Sequence, residues 1–492
     1  METVILYEEI LFAENNPLKV GFVSLGCPKN LVDSEVMMGE LVAHGHELTP
    51  YPDQADTLVV NTCSFIDPAK KESIDTILEM AEHKKFGTAK RLIVAGCLVE
   101  RYREQILEQV PEVDAVVGPG EVERILEAVE GELKVLPATT PAFLYHDLTP
   151  RIITTPKHQA YIKIAEGCDH PCSFCIIPQL RGGFRSRRFE SVVKEAENLA
   201  AAGTREVTLI GQDTTSYGED LGLRDGLAQL LAKLAEIDEL LWVRFLYAYP
   251  NRVTQKLLDT MAAHPRLAKY LDMPLQHASR SVLARMKRGS HGDAFLKMLE
   301  RIRETIPGVT LRTSFIVGFP GETKQDFEEL YQFVAAAKFD WMGVFEYSDV
   351  DHAASYPLDG KVDAQTIEQR RGRLMTLQRK ISREKLRAFQ GRTEAALVEG
   401  PSKDNPLVWE ARLEGMAPDI DGKLYLTDVE LPSGRVAAIG DAVKVEIIRT
   451  DAYDLIGRIV EIPPQPTKVP CVAMPAEQLT RISTAAALRV IG

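Results

Sequence analysis

The sequence predicts an α/β protein in three parts: an N-terminal parallel α/β domain, a central incomplete (β/α)6 barrel, and a small antiparallel C-terminal β-barrel of the oligonucleotide-binding kind. Three observations predict it. Three apolar runs near the N-terminus each end in a cysteine, at intervals of 36 and 34 residues, about one strand–helix unit each. Six strand patterns then alternate with helix patterns between residues 156 and 390, which reads as a parallel sheet wrapped by helices. Between residues 391 and 461 five short strand patterns follow, punctuated by Gly415, Gly422, Gly434 and Gly440, the rhythm of a small barrel.

A chain of 492 residues exceeds one ordinary core and accommodates two to four domains. No stretch approaches the ~18 consecutive apolar residues of a membrane span. Residues 1–17 carry four glutamates and no basic residue, the wrong charge for a signal peptide. Seven cysteines, an odd number spread along the chain, do not read as a disulfide framework. These features predict a protein of the reducing cytoplasm with no membrane partner. The net charge of −13 argues against a whole-surface nucleic-acid binder, though not against a local basic patch.

In the first part the run from Lys19 leads to Cys27, the run Thr57–Thr62 to Cys63, and the run Arg91–Gly96 to Cys97; a fourth, Asp114–Gly118, ends in glycine. The stretches between read as helices: Ser34–His44 behind Asp33 as N-cap, and Pro68–Glu82 behind the cap and first-turn pair Asp67 and Pro68. Near-continuous apolar strands predict a parallel sheet covered on both faces. Ligands of such sheets bind beyond the carboxyl ends of the strands, where all three cysteines stand. The three thiols should therefore converge into a metal-cluster site with one free corner. Three buried, inert cysteines are the alternative.

Thr139–Pro156, rich in proline and threonine, reads as a linker. The strand pattern Ala160–Ala165 leads into Gly167-Cys168-Asp169-His170-Pro171-Cys172-Ser173-Phe174-Cys175. Electron carriers usually hold a four-iron cluster with four cysteines, so this C-x3-C-x2-C loop is one ligand short, and an open coordination position suggests chemistry. A structural zinc loop with His170 or a distant residue as fourth ligand is the alternative. Further strand patterns are Glu206–Ile210, Trp242–Tyr247, Lys269–Asp272, Thr310–Val317 and Trp341–Tyr347. Helix patterns are Glu190–Ala202, Gly222–Ala235, Thr254–His264, Asp293–Thr305 and Lys324–Lys338. The active site of such a barrel belongs at the strands' C-terminal ends. There stand Gly211–Thr215, Pro274–Ala278 and Gly318–Glu322, whose glycines also suit a tight turn. Arg181, Arg185, Arg187 and Arg188 follow the cysteine loop, to meet an anionic ligand or solvent. The last helix, Asp363–Gln390, has eight basic and three acidic residues, with Leu374, Leu377, Ile381 and Ala388 as its packing stripe.

The five C-terminal strand patterns are Glu394–Glu399, Leu407–Leu413, Lys423–Val429, Ala442–Ile448 and Leu455–Val460. From Arg392 to Val460 there are 13 acidic and eight basic residues, a net of −5. Such a module repels tRNA phosphates and attracts a basic protein, with Glu394, Glu399, Glu410, Glu414, Asp419, Asp421 and Asp428 as the attracting charges. Pro463–Gly492 reads as a tail with one helix, and Cys471 within it as a non-ligand.

The C-x3-C-x2-C loop, with Phe174 ahead of its third cysteine, resembles that of the radical S-adenosylmethionine enzymes. The segment from Gly26 to Glu35, with Asn61-Thr62-Cys63 and Ala95-Gly96-Cys97, resembles the motifs of one branch of them, the methylthiotransferases. The resemblance runs over residues 18–461. It implies a methylthiotransferase N-terminal domain at 18–131, a radical core at 156–390, a TRAM domain at 391–461 and a tail at 462–492. It also implies two 4Fe–4S clusters, one on Cys27, Cys63 and Cys97 and one on Cys168, Cys172 and Cys175. S-adenosylmethionine would bind the open iron of the second, its site lined by Gln212, Gln276, Arg312 and Gly318.

Pro28-Lys29-Asn30, Cys175–Pro178 and Gln212–Gly218 further resemble the members that modify an aspartate of ribosomal protein S twelve, free or in the small ribosomal subunit. Members that modify a tRNA adenosine are the alternative. The segment Ser348–Ala354 departs from the family pattern. In the implied reaction one S-adenosylmethionine methylates a sulfur held at the N-terminal cluster. A second yields the radical that abstracts hydrogen from the aspartate β-carbon, with electrons from a reductase or flavodoxin-type donor. An unactivated C–H offers no acid–base handle, so a cofactor must carry this chemistry, and no side chain is assigned a catalytic role. A non-enzymatic iron–sulfur electron carrier would suit six thiolates, but would need neither a six-unit barrel nor two clusters each short of a protein ligand.

Overall fold

The structure, a computed structural model, describes residues 17–131, 141–465 and 488–491, the last four as backbone only. Residues 1–16 and Cys471 lie outside the described residues. The N-terminal elements are β1 (Lys19–Leu25), α1 (Pro28–Ala43), β2 (Glu47–Thr49), β3 (Thr57–Thr62), α2 (Asp67–Phe86), β4 (Arg91–Gly96), α3 (Cys97–Gln109), β5 (Ala115–Val117) and α4 (Ile125–Glu130). Strands β1, β3, β4 and β5 pair in parallel in that order, as continuous burial along each demands. The short β2 lies on the free edge of β1 beside Lys19–Gly21. The far end of the same edge, Phe22–Leu25, is taken in parallel by Leu488–Ile491. Part of the expected tail is therefore a strand of the first sheet.

Helix α1 corrects the expected cap. It starts at Pro28 with Cys27 at the N-cap, as Pro at the first turn favours. Asp33 is inside the helix and buried. This helix is buried along most of its length, and its polar residues are paired across the junction with the central barrel. Asp33 bonds Lys163 and Arg181, and Glu35 bonds Arg151 and Thr154. The stretch expected to be a linker has no helix or strand over residues 141–156, but it is packed rather than loose. Tyr145, Arg151, Ile152 and Ile153 are buried, and Arg151 joins Glu35 of α1 to Glu195 of the barrel.

The barrel comprises β6 (Gln159–Lys163), β7 (Ala165–Glu166), α5 (Ile177–Arg181), β8 (Arg185–Ser186), α6 (Phe189–Ala201), β9 (Glu206–Ile210), α7 (Gly226–Leu234), β10 (Trp242–Phe245), α8 (Gln255–Ala263), β11 (Tyr270–Asp272), α9 (Arg280–Arg285), α10 (Gly292–Thr305), β12 (Thr310–Val317), α11 (Lys324–Ala337), β13 (Trp341–Glu346) and α12 (Ala364–Arg387). Its six main strands form two parallel halves, β10-β9-β6 and β11-β12-β13. The halves meet through the parallel bridge Val243–Leu267. A continuous apolar core, including Val207, Leu209, Leu271, Phe315, Phe333 and Phe339, fixes the helices to the outer surface.

The last part is a closed barrel of β14 (Thr393–Pro401), β15 (Trp409–Leu413), β16 (Leu424–Leu426), β17 (Ala442–Thr450) and β18 (Leu455–Glu461), in the order β14-β15-β16-β18-β17. It is not purely antiparallel, because β16 and β18 run parallel. It seals the N-terminal end of the central barrel. Lys269 N–H donates to Glu414, Trp341 Nε1–H to Gly415 O, and Tyr270 O–H to Asp421. Arg412 pairs with Glu206 and Glu399, and Glu399 also meets His158. Three acids expected to face a basic partner are therefore spent inward, Glu399, Glu414 and Asp421, while Asp419 stays exposed and accepts a 3.4 Å bond from Tyr161 O–H. Asp428 remains exposed.

Candidate active site

Both cysteine groups sit where strands end. In the N-terminal domain, Cys27 follows β1 and caps α1, Cys63 follows β3, and Cys97 follows β4 and opens α3. Gly26 and Gly96 take φ of +89° and +91°, which only glycine tolerates readily. A Cβ on Gly26 would lie 2.7 Å from Cys63 Cβ and 3.1 Å from its Sγ, so the turn into Cys27 crosses directly over Cys63. Burial pushes the Cys63 thiol up to about 12, with Cys97 and Cys27 adding to the effect. Burial raises the Cys97 thiol too, with Arg181 pulling it down and Cys27 adding to the rise. Arg181 Nη2 stands 3.4 Å from Cys97 Sγ. Lys29 Nζ lies 3.3 Å from the centre of the Tyr247 ring. Burial alone would lower the Lys29 ammonium, but Tyr247 and Cys27 outweigh burial and raise it.

The second group follows β6 and β7. Cys168 N–H donates to Gly182 O, and Ser173 is tied to Arg285 and Met286 O. Ile177 N–H points to Cys175 Sγ at 3.4 Å, and Arg288 Nη1 to Cys172 Sγ at 3.6 Å. Burial raises the Cys168 and Cys175 thiols to about 11 and about 12. His170 is turned to Asp213 (2.7 Å) and stacks on Tyr249 at 3.6 Å between ring centres. Asp213 also accepts from Thr215 and Ser216. The Asp213-Thr214-Thr215-Ser216 motif is thus a carboxylate-centred turn that fixes the cysteine loop through His170.

Among the described residues no three His, Cys, Asp or Glu side chains converge on one point as ligands of a single ion do. A four-iron cluster takes each thiolate on a separate iron, and each group offers three thiols, adjoining cations and backbone N–H donors, so the donor sets fit such a cluster. The two groups are neighbours. Cys97 packs in one apolar cluster with Ile176, Leu180, Val350 and Ala353, and Ile176 directly follows Cys175. Segment 348–355, which includes the stretch that departs from the family pattern, closes this contact. Its Ser348 bonds Asp67, and its Asp351 bonds Arg101 and Tyr102.

Family models match three parts of the chain: an uncharacterized protein family, UPF0004, over residues 19–118, the radical SAM superfamily over 162–334, and the TRAM domain over 391–460. A ribosomal protein uS12 methylthiotransferase RimO of Solibacter usitatus is 63% identical, over 92% of this chain and 97% of that protein. Its counterpart in Koribacter versatilis is 54% identical, over 91% and 97%. The chain belongs to the RimO methylthiotransferase family. Among solved structures, the radical S-adenosylmethionine methyltransferase TsrM of Kitasatospora setae, with tryptophan and a SAM analogue bound, matches 79% of each chain. The TM-score is 0.51 at 15% identity, a likeness of fold alone.

Within this RimO-family chain the expected cofactor residues separate. Gln212, at the C-terminal end of β9, donates from Nε2 to Glu166 at 2.6 Å, while its buried Oε1 has no partner among the described residues. Gln276 follows β11 with φ +72° and is bridged to β12. Gly318 is a turn residue, with φ +80° and its N–H bound by Glu322. Arg312 is a correction. It is the third residue of β12, and its guanidinium pairs with Asp272 (2.8 Å) and Asp421 (3.5 Å). It faces the end sealed by the RimO-family TRAM barrel, because Asp421 belongs to that barrel. Of the four arginines after the cysteine loop, Arg181 and Arg187 are buried ion-pair residues rather than solvated ones; Arg188 is exposed. Lys29, Asp33 and Glu166 stand near a cysteine in sequence, where charge was their only local signal for this part in the site; Arg288, 116 residues from Cys172, had none.

Proposed function

We propose that the protein adds a methylthio group to the β-carbon of an aspartate in ribosomal protein uS12, the substrate named for its relatives. It would do so with one 4Fe–4S cluster on Cys27, Cys63 and Cys97 and another on Cys168, Cys172 and Cys175. When bound, these groups supply an anchor for the transferred sulfur and the electron that cleaves S-adenosylmethionine. The chain's own residues hold them. His170 and Asp213 fix the cysteine loop, and Arg288 places a cation against Cys172. The unpaired Oε1 of Gln212 is an acceptor suited to the ligand's amino group. Gln276 and the Gly318 turn line the same end of the barrel. The units would be 18–131, 156–390 and 391–461, acting in the cytoplasm with a reductase or flavodoxin-type protein as electron source. Among the described residues no helix is long and apolar enough to cross a membrane.

The observation that carries this reading is that Cys97 shares one buried apolar cluster with Ile176, the residue after Cys175. This arrangement supports a sulfur held at one thiol group meeting a substrate activated at the other. The test offers reconstituted enzyme and S-adenosylmethionine both ribosomal protein uS12 and tRNA under reducing conditions. Mass spectrometry should find a methylthio group on one aspartate of the protein. Modification of tRNA alone would overturn the substrate. About eight irons per chain are expected, and about four in each triple Cys→Ala variant.

A further inference from the structure

The radical-site loop and the N-terminal thiols are joined by a buried charge network. Arg181, at the end of α5, sends Nη1 to Asp33 (2.6 Å) and Glu166 (3.2 Å), and Nη2 to Asn30 Oδ1 (3.3 Å) and Cys97 Sγ (3.4 Å). Lys163 bonds the same two carboxylates, Asp33 and Glu166, but among the described residues no hydrogen bond joins it to a cysteine. Glu166 in turn holds Gln212. The side chains of Arg181, Asp33, Glu166 and Lys163 are each 5% exposed or less. Of the two cations in this network Arg181 is the one that reaches a thiol; Lys29, another cation near this thiol group, stands outside the network over the Tyr247 ring.

We propose that Arg181 is the positioning residue between the two sites: it supplies the charge that holds the N-terminal thiolate group and fixes that group's distance from the radical-site loop. Lys163 serves the network only as a structural cation. The residues support this division. Arg181 has a planar fork that satisfies a carboxylate on one side and a sulfur on the other, a geometry an ammonium cannot copy. It also stands six residues after Cys175 and next to Leu180, which shares a buried apolar cluster with Cys97, so one short helix brings both an apolar and a charged side chain to this side of the N-terminal site. The proposal rests on the two-cluster reading above.

The test separates charge, position and mere stability. In a Cys168/Cys172/Cys175→Ala background only the N-terminal site can load, and about four irons are expected; an empty protein there would overturn the two-cluster reading itself. With four irons present, Arg181→Met should move the reduction potential followed by electron paramagnetic resonance to lower values, because a cation favours the more negative reduced state. Lys163→Met should leave it in place. In the otherwise native chain, Arg181→Lys should keep the potential, retain 5′-deoxyadenosine formation, and lose at least ~10-fold in methylthio product per 5′-deoxyadenosine. An unchanged potential in Arg181→Met, or an equal shift in Lys163→Met, would overturn the charge role. Full coupling in Arg181→Lys would overturn the positioning role. Should Arg181→Met fail to load, Arg181→Gln gives the same comparison; if neither loads while Lys163→Met does, the loss of iron confined to that site is itself the expected consequence.

Discussion

Replacing Arg412 by Met should undock the C-terminal barrel from the base of the central one. The Arg412 side chain is 6% exposed and bonds Glu206 at 2.5 Å, Glu399 at 3.0 Å and Met416 O at 2.9 Å. Met fills most of the space but leaves Glu206, fully buried, with Arg244 alone. Losing one partner of a buried pair costs about 3–5 kcal/mol. A second route gives a similar figure. Burial pushes Glu399 up, but Arg412 and His158 outweigh it and hold the carboxyl at about 2, below its ordinary 4.5. That displacement corresponds to about 3 kcal/mol at neutral pH, and because His158 shares in it, it is an upper bound on what Arg412→Met removes through Glu399. Two of the three tryptophans sit at this junction: Trp341 bonds Gly415 O, and Trp242 lies 5.9 Å from the Arg412 guanidinium, while Trp409 lies in β15 of the C-terminal barrel. Tryptophan fluorescence against urea should therefore show the docking transition of Arg412→Met weakened by about 3 kcal/mol at pH 7. Because Glu399 is depressed, its share is present above about pH 4.5 and lost as pH falls through 2, so the gap to the unmodified protein should narrow toward acid. A change below ~1 kcal/mol at pH 7, or a gap that widens in acid, would refute the reasoning.

Gly318→Ala should destabilise the turn after β12 by about 2 kcal/mol or more, since φ is +80° and the new methyl meets Ile367. Ile367→Ala should restore only the steric share, as melting temperatures would show. Burial pushes Glu322 up to about 7, although Arg370 and the N–H groups of Gly318 and Phe319 pull it down. Its contribution is then full below about pH 4.5 and declines as pH rises through 7. Glu322→Gln should flatten the fall of the melting temperature between about pH 4.5 and 7, and an unaltered slope there would count against the shift. Asp351→Asn leaves the Arg101 guanidinium, 4% exposed, without its carboxylate. A loss of about 1–3 kcal/mol should appear as faster hydrogen exchange across residues 348–355, and unchanged protection there would show that the segment is held by its apolar contacts.

The sequence by itself determined the elements and their order. Continuous apolar runs dictated β1, β3 and β4, and the turn residues that end them put Cys27, Cys63 and Cys97 on one edge of the sheet. Alternation of period dictated the six barrel strands, two of which, Glu206–Ile210 and Thr310–Val317, have the bounds that their patterns imply. These are local properties, set within a few residues by side-chain shape and burial. What each polar side chain does was decided only by the tertiary structure. Asp33 has the local features of a cap, but Lys163, 130 residues away, and Arg181, 148 away, hold it as a buried ion-pair partner. Arg312 lies in a strand whose end belongs to the site, yet Asp421, from a different barrel, holds its guanidinium at the opposite end. The acids of the C-terminal barrel count the same in any composition, but Glu399, Glu414 and Asp421 are consumed as anchors. A buried charge must find its partner wherever the fold brings one, and for these residues that partner lies more than ten residues away in sequence, beyond what any local pattern encodes.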